Sequence, residues 1–182
     1  MSELVEIRWH ARAGQGAVTA AKLVAETALS QGRYMQAMPE YGPERTGAPL
    51  KAYTRVCDTP IEVHNNITNP QIVVVLDETL LDLENVTEGM AQDGTVILNT
   101  RMTPAEAREK LGVSDKVTVA MATIHRNIPN TPIVAALSKV TGVIPYDEFV
   151  QHLKTTFGKK FSQQIIDANL ESVKRAYEEV QQ

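Results

Sequence analysis

The 182-residue sequence contains a single cysteine, Cys57. One thiol cannot close an internal disulfide, hold an iron–sulfur cluster or build a thiolate zinc site. No apolar run reaches the ~18 residues that a membrane-spanning helix requires, so no membrane span is expected. Positive charge is not in excess. Eighteen Lys and Arg against 22 Asp and Glu leave a net charge of −4, which argues against nucleic acid as a partner held by a basic surface. Met1-Ser2-Glu3 leads directly into a strand pattern, so no signal peptide is expected. There is no Gly-x-Ser-x-Gly elbow. No Gly-Lys-Ser/Thr follows a glycine turn, which excludes a nucleoside-triphosphate loop. His64, His125 and His152 are scattered, without metal-ligand spacing. The expectation is a cytoplasmic chain folding as one domain over residues 1–182.

What is present is organised around residues 5–21. Val5, Ile7 and Trp9 alternate with Glu6, Arg8 and His10, the period of a strand with one buried face. Gly14-Gln15-Gly16 then turns the chain into a helix. Ala17, Ala20, Ala21, Val24 and Ala28 form one apolar stripe, small enough to lie close to a sheet. Gly32 falls where a left-handed C-terminal cap is wanted.

Arg33 to Met38 reads as a half-apolar edge strand. Residues 39–49 hold three prolines and two glycines, which rules out a helix or a central strand. This loop leaves Glu40, Tyr41, Glu44 and Arg45 available for contact. Leu50–Val56 reads as a strand and Ile61–His64 as a short one, together an antiparallel hairpin appended to the sheet. The branched run Gln71–Asp77 predicts a central parallel strand buried on both faces. A short helix is expected over Leu80, Leu81 and Leu83. Thr95–Asn99 is a further buried strand, and Lys116–Ala120 the last. Thr103-Pro104-Ala105-Glu106 is a capping box that opens a helix ending near Gly112. Asn130-Thr131-Pro132 opens a capped helix to Gly142. Pro145 leads into a helix holding Phe149, Val150 and Leu153. The closing helix places Ile166, Leu170, Val173, Tyr177 and Val180 on one face. Strands alternating with helices give an α/β class: a Rossmann-like, mainly parallel open sheet flanked by helices, with the antiparallel hairpin making it mixed.

The glycine turn is the first candidate site. Helix N-terminal N–H groups and the helix dipole favour an anion. The dinucleotide fingerprint G-x-G-x-x-G is incomplete, because Thr19 stands at the third position. Glu40 lies in the Pro-rich loop, not at a strand end where a ribose-binding acid belongs. A plain tight turn accounts for the glycines equally well. His10, at the strand end, is either a general base or a hydrogen-bonded structural histidine. Cys57 reads as a small buried hydrophobe. Asp77 and Glu78 follow the central strand, but neighbours on an extended chain face opposite ways. Arg12, Arg45 and Arg126 sit in loops at strand ends, where each can fork onto a carboxylate or phosphate. No self-contained catalytic apparatus emerges.

Several stretches together resemble the gamma subunit of 2-oxoacid:ferredoxin oxidoreductases, and among these the pyruvate enzymes. They are His-Ala-Arg-Ala-Gly-Gln-Gly-Ala-Val-Thr-Ala-Ala-Lys (10–22), Pro-Glu-Tyr-Gly-Pro-Glu-Arg-Thr-Gly-Ala-Pro (39–49) and Val-Val-Val-Leu-Asp-Glu-Thr-Leu-Leu (73–81). Ile-Pro-Asn-Thr-Pro (128–132), Lys-Val-Thr-Gly-Val-Ile-Pro (139–145) and the closing helix add to them. The resemblance covers nearly the whole chain in order. It implies a non-catalytic subunit of an enzyme that converts pyruvate, coenzyme A and oxidised ferredoxin to acetyl-CoA, carbon dioxide and reduced ferredoxin. It implies that thiamine diphosphate, magnesium and iron–sulfur clusters reside in partner alpha, beta and delta subunits, with no cofactor bound by this chain alone. It further implies that Arg12, Gly14, Gln15 and Gly16, with Tyr41, Glu44, Arg45, Thr46 and Gly47, face the assembled active site, the approach of coenzyme A or a subunit interface. The family commonly reads Gly-Arg-Gly-Gly-Gln-Gly at the first turn. Ala11 and Ala13 here narrow the backbone's choice of φ and ψ and the approach of a ligand. Where the second loop often carries Arg-Arg-Gly or Arg-Gly-Gly, Arg45-Thr46-Gly47 has one arginine. The alternative from a different class is a stand-alone Rossmann-like module that binds a nucleotide for regulation. An NAD-dependent enzyme in its own right lacks the residues it would need.

Overall fold

Among the described residues six strands form one sheet: β1 (Val5–Arg12), β2 (Tyr34–Pro39), β3 (Pro49–Cys57), β4 (Ile72–Val75), β5 (Thr95–Asn99) and β6 (Thr118–Ala122). Five helices among the described residues cover it: α1 (Ala17–Ser30), α2 (Pro104–Leu111), α3 (Asn130–Thr141), α4 (Tyr146–Gly158) and α5 (Gln163–Glu179). This computed structural model describes residues 4–40, 47–124 and 129–182. The spatial order is β2-β3-β1-β4-β5-β6. β1, β4, β5 and β6 are parallel. β3 lies antiparallel between β1 and β2.

The two faces of the sheet are different. Ile7, Trp9, Val74 and Ile97 point to the side covered by α1, α3, α4 and α5, where the larger core sits. Val73, Val75, Val96 and Leu98 point to a smaller core under α2 and the 3-10 turn Glu78–Asp82. The alanine stripe of α1 is buried as expected, and Leu23, Ala25 and Thr27 are buried too, because α3 and α4 pack over the helix as well. Gly32 has φ +77°, and the Arg33 and Gly32 amides reach back to the carbonyls of Ala28 and Leu29. That pairing closes α1 in a Schellman turn.

The capping box of α2 is complete. Thr103 accepts from the Glu106 amide, and the Glu106 carboxylate accepts from the Thr103 amide. α3 starts differently from expectation. Pro129 occupies its cap position without a side-chain cap, and the Asn130 side chain accepts instead from the Thr131 amide at 3.0 Å.

Two further expectations are corrected. The hairpin partner of β3 is β2, not residues 61–64, which form no strand. Arg55 explains the difference. Its guanidinium lies on the face opposite α1, and Nη1 donates to the Val63 carbonyl while Nη2 donates to Asn65 Oδ1. The segment is held by a side chain and not by a ladder. The last strand runs two residues further than the alternation implied, to Ala122. Residue 181 pairs near its end: the Met121 amide donates to the Gln181 carbonyl at 2.8 Å, and the Gln181 amide returns the bond at 2.9 Å.

Candidate functional site at the carboxyl ends of strands 1 and 4

The chain leaves β1 toward α1 and β2 on one side, while β4 lies on the other. In open α/β sheets this reversal of strand order opens a crevice at the carboxyl ends of the strands, where ligands bind. Here the crevice walls are the 12–16 turn and residues 77–79, and they are joined side chain to side chain. Gln15 Nε2 donates to Asp77 Oδ2 at 2.7 Å, while Gln15 Oε1 accepts from the Arg12 amide at 2.8 Å. Arg12 donates through Nε and Nη2 to Thr79 Oγ1, at 3.1 and 2.8 Å. The Thr79 hydroxyl in turn donates a hydrogen bond to Asp77 Oδ1 at 2.6 Å. Burial raises the Asp77 pKa. The bonds from Thr79 and Gln15 and the nearby Arg12 charge outweigh it, and the carboxyl is held below its ordinary value.

Arg12 also reaches the second loop. Its Nη1 donates to the Gly47 carbonyl at 3.0 Å, the Gly47 amide donates to the Ala13 carbonyl, and the Ala13 amide donates to the Ala48 carbonyl. The first turn and the end of the Pro-rich loop are therefore adjacent in space. Tyr41, Glu44, Arg45 and Thr46 lie outside the described residues, as do His125 and Arg126.

The two glycines of the turn are required for different reasons. Gly14 has φ +99° with open space where a Cβ would stand. Gly16 has φ +83°, and a Cβ there would meet Asn130 Nδ2 at 2.7 Å. Gly16 thus allows the start of α3 to close over the turn.

A second cleft of about 360 Å³ continues the crevice across the ends of β4, β5 and β6, lined by Asp77, Glu78, Asn99, Thr100, Arg101 and Thr123. Asn99 braces it, donating to the Leu76 carbonyl at 3.0 Å and accepting from the Ile124 amide at 2.9 Å. Thr100 donates to Glu78. Asp77 and Glu78 therefore turn to different partners and form no acid–base pair. Asn99 and Thr100 were not legible as site residues. Their signal was position alone: two polar residues at the carboxyl end of a buried strand.

His10 is a structural residue. It is 1% exposed and points to the face opposite α1. Arg8 Nε, which can only donate, lies 3.1 Å from His10 Nε2, so that nitrogen is the acceptor. Nδ1–H then donates to Glu84 Oε1 at 2.9 Å, and Lys51 Nζ lies 3.2 Å from Glu84 Oε2. Burial lowers the His10 pKa, so the ring is neutral. The bond from His10, opposed by burial and aided by Lys51, lowers the Glu84 carboxyl to about 2. Cys57 is buried, its Sγ 3.3 Å from Thr59 Oγ1. Among the described residues no three His, Cys, Asp or Glu side chains converge as metal ligands. The described residues offer no set of ligands for a magnesium ion, and the sequence's one cysteine cannot hold an iron–sulfur cluster.

The family described as pyruvate ferredoxin/flavodoxin oxidoreductase matches residues 6–179. The chain belongs to this family. Pyruvate synthase subunit PorC of Thermotoga maritima is 48% identical over 181 residues, covering 96% of this chain and 94% of the relative. PorC of Methanothermobacter marburgensis is 41% identical over 177 residues, covering 97% and 98%. The crystal structure of the Thermotoga maritima pyruvate oxidoreductase subunit superposes with a TM-score of 0.85 at 40% identity, covering 98% of each chain. A 2-oxoglutarate:ferredoxin oxidoreductase from Magnetococcus marinus shares the fold alone, at 14% identity and a TM-score of 0.77, the match taking up 30% of that longer chain.

Proposed function

We propose that this chain is the gamma subunit of a multi-subunit 2-oxoacid:ferredoxin oxidoreductase, with pyruvate as the oxoacid. One observation carries the reading: the end-to-end likeness to PorC subunits, at 48% identity with 96% of this chain and 94% of the relative covered. In this reading the complex works in the cytoplasm and cleaves the bond between the pyruvate carboxylate and its carbonyl carbon. The acyl group passes to the coenzyme A thiol, carbon dioxide leaves, and the electron pair goes to ferredoxin. Thiamine diphosphate, magnesium and the iron–sulfur clusters are carried by partner alpha, beta and delta subunits. The gamma chain supplies no reacting group. Its crevice, formed by Arg12, Gly14, Gln15, Gly16 and Gly47, shapes the approach of coenzyme A or a subunit interface, a role the sequence extends to Arg45 and Thr46.

The test is anaerobic affinity purification of the tagged chain from its native host, with an absorption spectrum and intact masses of what accompanies it. The reading expects a brown complex with alpha, beta and delta chains. A colourless chain that emerges alone overturns it and promotes the nucleotide-binding module. That module would be stabilised by about 2.7 kcal/mol at a hundredfold excess of its nucleotide over Kd.

A further inference from the structure

A threonine hydroxyl has one hydrogen to donate and two lone pairs to offer. At Thr79 the hydrogen is directed at Asp77 Oδ1, at 2.6 Å, so the lone pairs are turned the other way, toward Arg12. Arg12 Nε and Nη2 donate to them at 3.1 and 2.8 Å. Arg12 Nε stands 3.6 Å from Asp77 Oδ2, beyond hydrogen-bond reach. That oxygen is taken by Gln15 Nε2, and Oδ1 by the Thr79 amide as well as its hydroxyl. An arginine this close to a carboxylate usually closes on it with two parallel N–H···O bonds. Here it does not. Thr79 takes the two donors, Nε and Nη2, that a side-on fork would use. The carboxylate is satisfied without the arginine. Burial raises its pKa, and the bonds from Thr79 and Gln15 lower it more than the Arg12 charge does.

This arrangement decides what Arg12 has left. A guanidinium carries five N–H groups. Thr79 engages one edge, and the Gly47 carbonyl engages Nη1 at 3.0 Å. Among the described residues the remaining N–H on each Nη meets no acceptor, and the side chain is 29% exposed. Its bonded partners, a hydroxyl and a carbonyl, are neutral, so its charge is not cancelled by a forked contact.

We infer that Thr79 is a positioning residue of the crevice: it holds Arg12 off Asp77 and so keeps the guanidinium charge and two N–H donors open to an oxyanion. The inference rests on the proposed role of the crevice and adds the chemistry of the group it receives. That oxyanion is a phosphate of coenzyme A or a carboxylate of a partner subunit. Without the Thr79 oxygen, Arg12 has a short swing onto Asp77, where an ion pair would close the receptor.

The test uses the assembled complex with Thr79→Val, Thr79→Ser, Arg12→Ala and the double change Arg12→Ala with Thr79→Val. Valine keeps the branched shape and removes the oxygen, and serine restores the oxygen. KM for coenzyme A, kcat and recovery of the complex are measured together. A coenzyme phosphate moves KM, and a partner carboxylate moves recovery. Thr79→Val should follow Arg12→Ala in whichever of the two that variant moves, by about fivefold where it is KM, with kcat little changed. Thr79→Ser should behave as the wild type. The double change should be no worse than Arg12→Ala alone, because Thr79 acts through Arg12, whereas a threonine that only supports the fold would add its own loss. An effect of Arg12→Ala without one of Thr79→Val, a serine as poor as valine, or an additive double change would overturn the inference and leave the role of the crevice standing. Arg12→Ala without effect on KM or recovery would overturn that role, and the inference with it.

Discussion

Arg8 has only donors to offer, and it fixes the state of the histidine beside it. It also donates to the carbonyls of Val86 and Glu88, at 3.0 and 2.6 Å, which ties β1 to the loop carrying Glu84. The pH dependence follows from the pair His10–Glu84. The unfolded Glu84 carboxyl takes up its proton near 4.5, the folded one at about 2. Its contribution is complete above the unfolded value and is lost as the pH falls toward about 2. His10 acts in the same direction, because its folded pKa lies below 6.5 and the unfolded chain binds that proton first. Urea unfolding should show stability falling more steeply with acid in the wild type than in Glu84→Gln. Equal slopes between pH 4.5 and 2 would contradict this account of Glu84. The glycines offer a second test. Gly14→Ala meets only backbone strain, about 1–2 kcal/mol. Gly16→Ala meets the same strain and the Asn130 side chain, so thermal denaturation should rank it as the more damaging change.

At the scale of elements, Arg55 governs a segment that has no secondary structure of its own. It is 2% exposed and forms an ion pair with Glu6 at 2.7 Å, besides its bonds to Gln36, Val63 and Asn65. Arg55→Ala strands the Glu6 carboxylate and loosens residues 58–66, which keep the Arg33–Asp58 and Gln36–His64 contacts. The expected loss is about 3 kcal/mol, the cost of breaking a buried pair. Limited proteolysis should cut first within 58–66, and unchanged cleavage would refute the tether. The same residue shows where the sequence was hard to read. Ile61-Glu62-Val63-His64 has the alternation of a strand, but alternation cannot reveal that an arginine eight positions earlier takes its carbonyl. Apolar period and caps were readable wherever an element is set by its own residues, as in β4, β5, α2 and α5. The crevice was readable in part. Gly14-Gln15-Gly16 and Asp77-Glu78-Thr79 could be placed at strand ends. The bond from Gln15 to Asp77, 62 residues apart, depends on strand order, which no local pattern contains.

At the scale of the whole molecule, the interior is saturated. No buried side-chain nitrogen or oxygen among the described residues lacks a hydrogen-bond partner. Arg12 joins the two walls of the crevice, and replacing it tests the proposed role of the crevice. In the assembled complex, Arg12→Ala should raise KM for coenzyme A about tenfold, the worth of one charge-assisted bond, or reduce recovery of the complex, with kcat little changed. Arg45→Ala should behave alike. If both variants left assembly and KM unchanged, the crevice would have no part in the reaction.

The most direct measurement is pyruvate- and coenzyme A-dependent reduction of ferredoxin by the alpha, beta and delta subunits, prepared with and without this chain. The account predicts no turnover by the chain alone, weak turnover by its partners alone, and full activity when the chain is added back in stoichiometric amount. Full activity without it, or turnover by the isolated chain, would contradict its reading as a required, non-catalytic subunit.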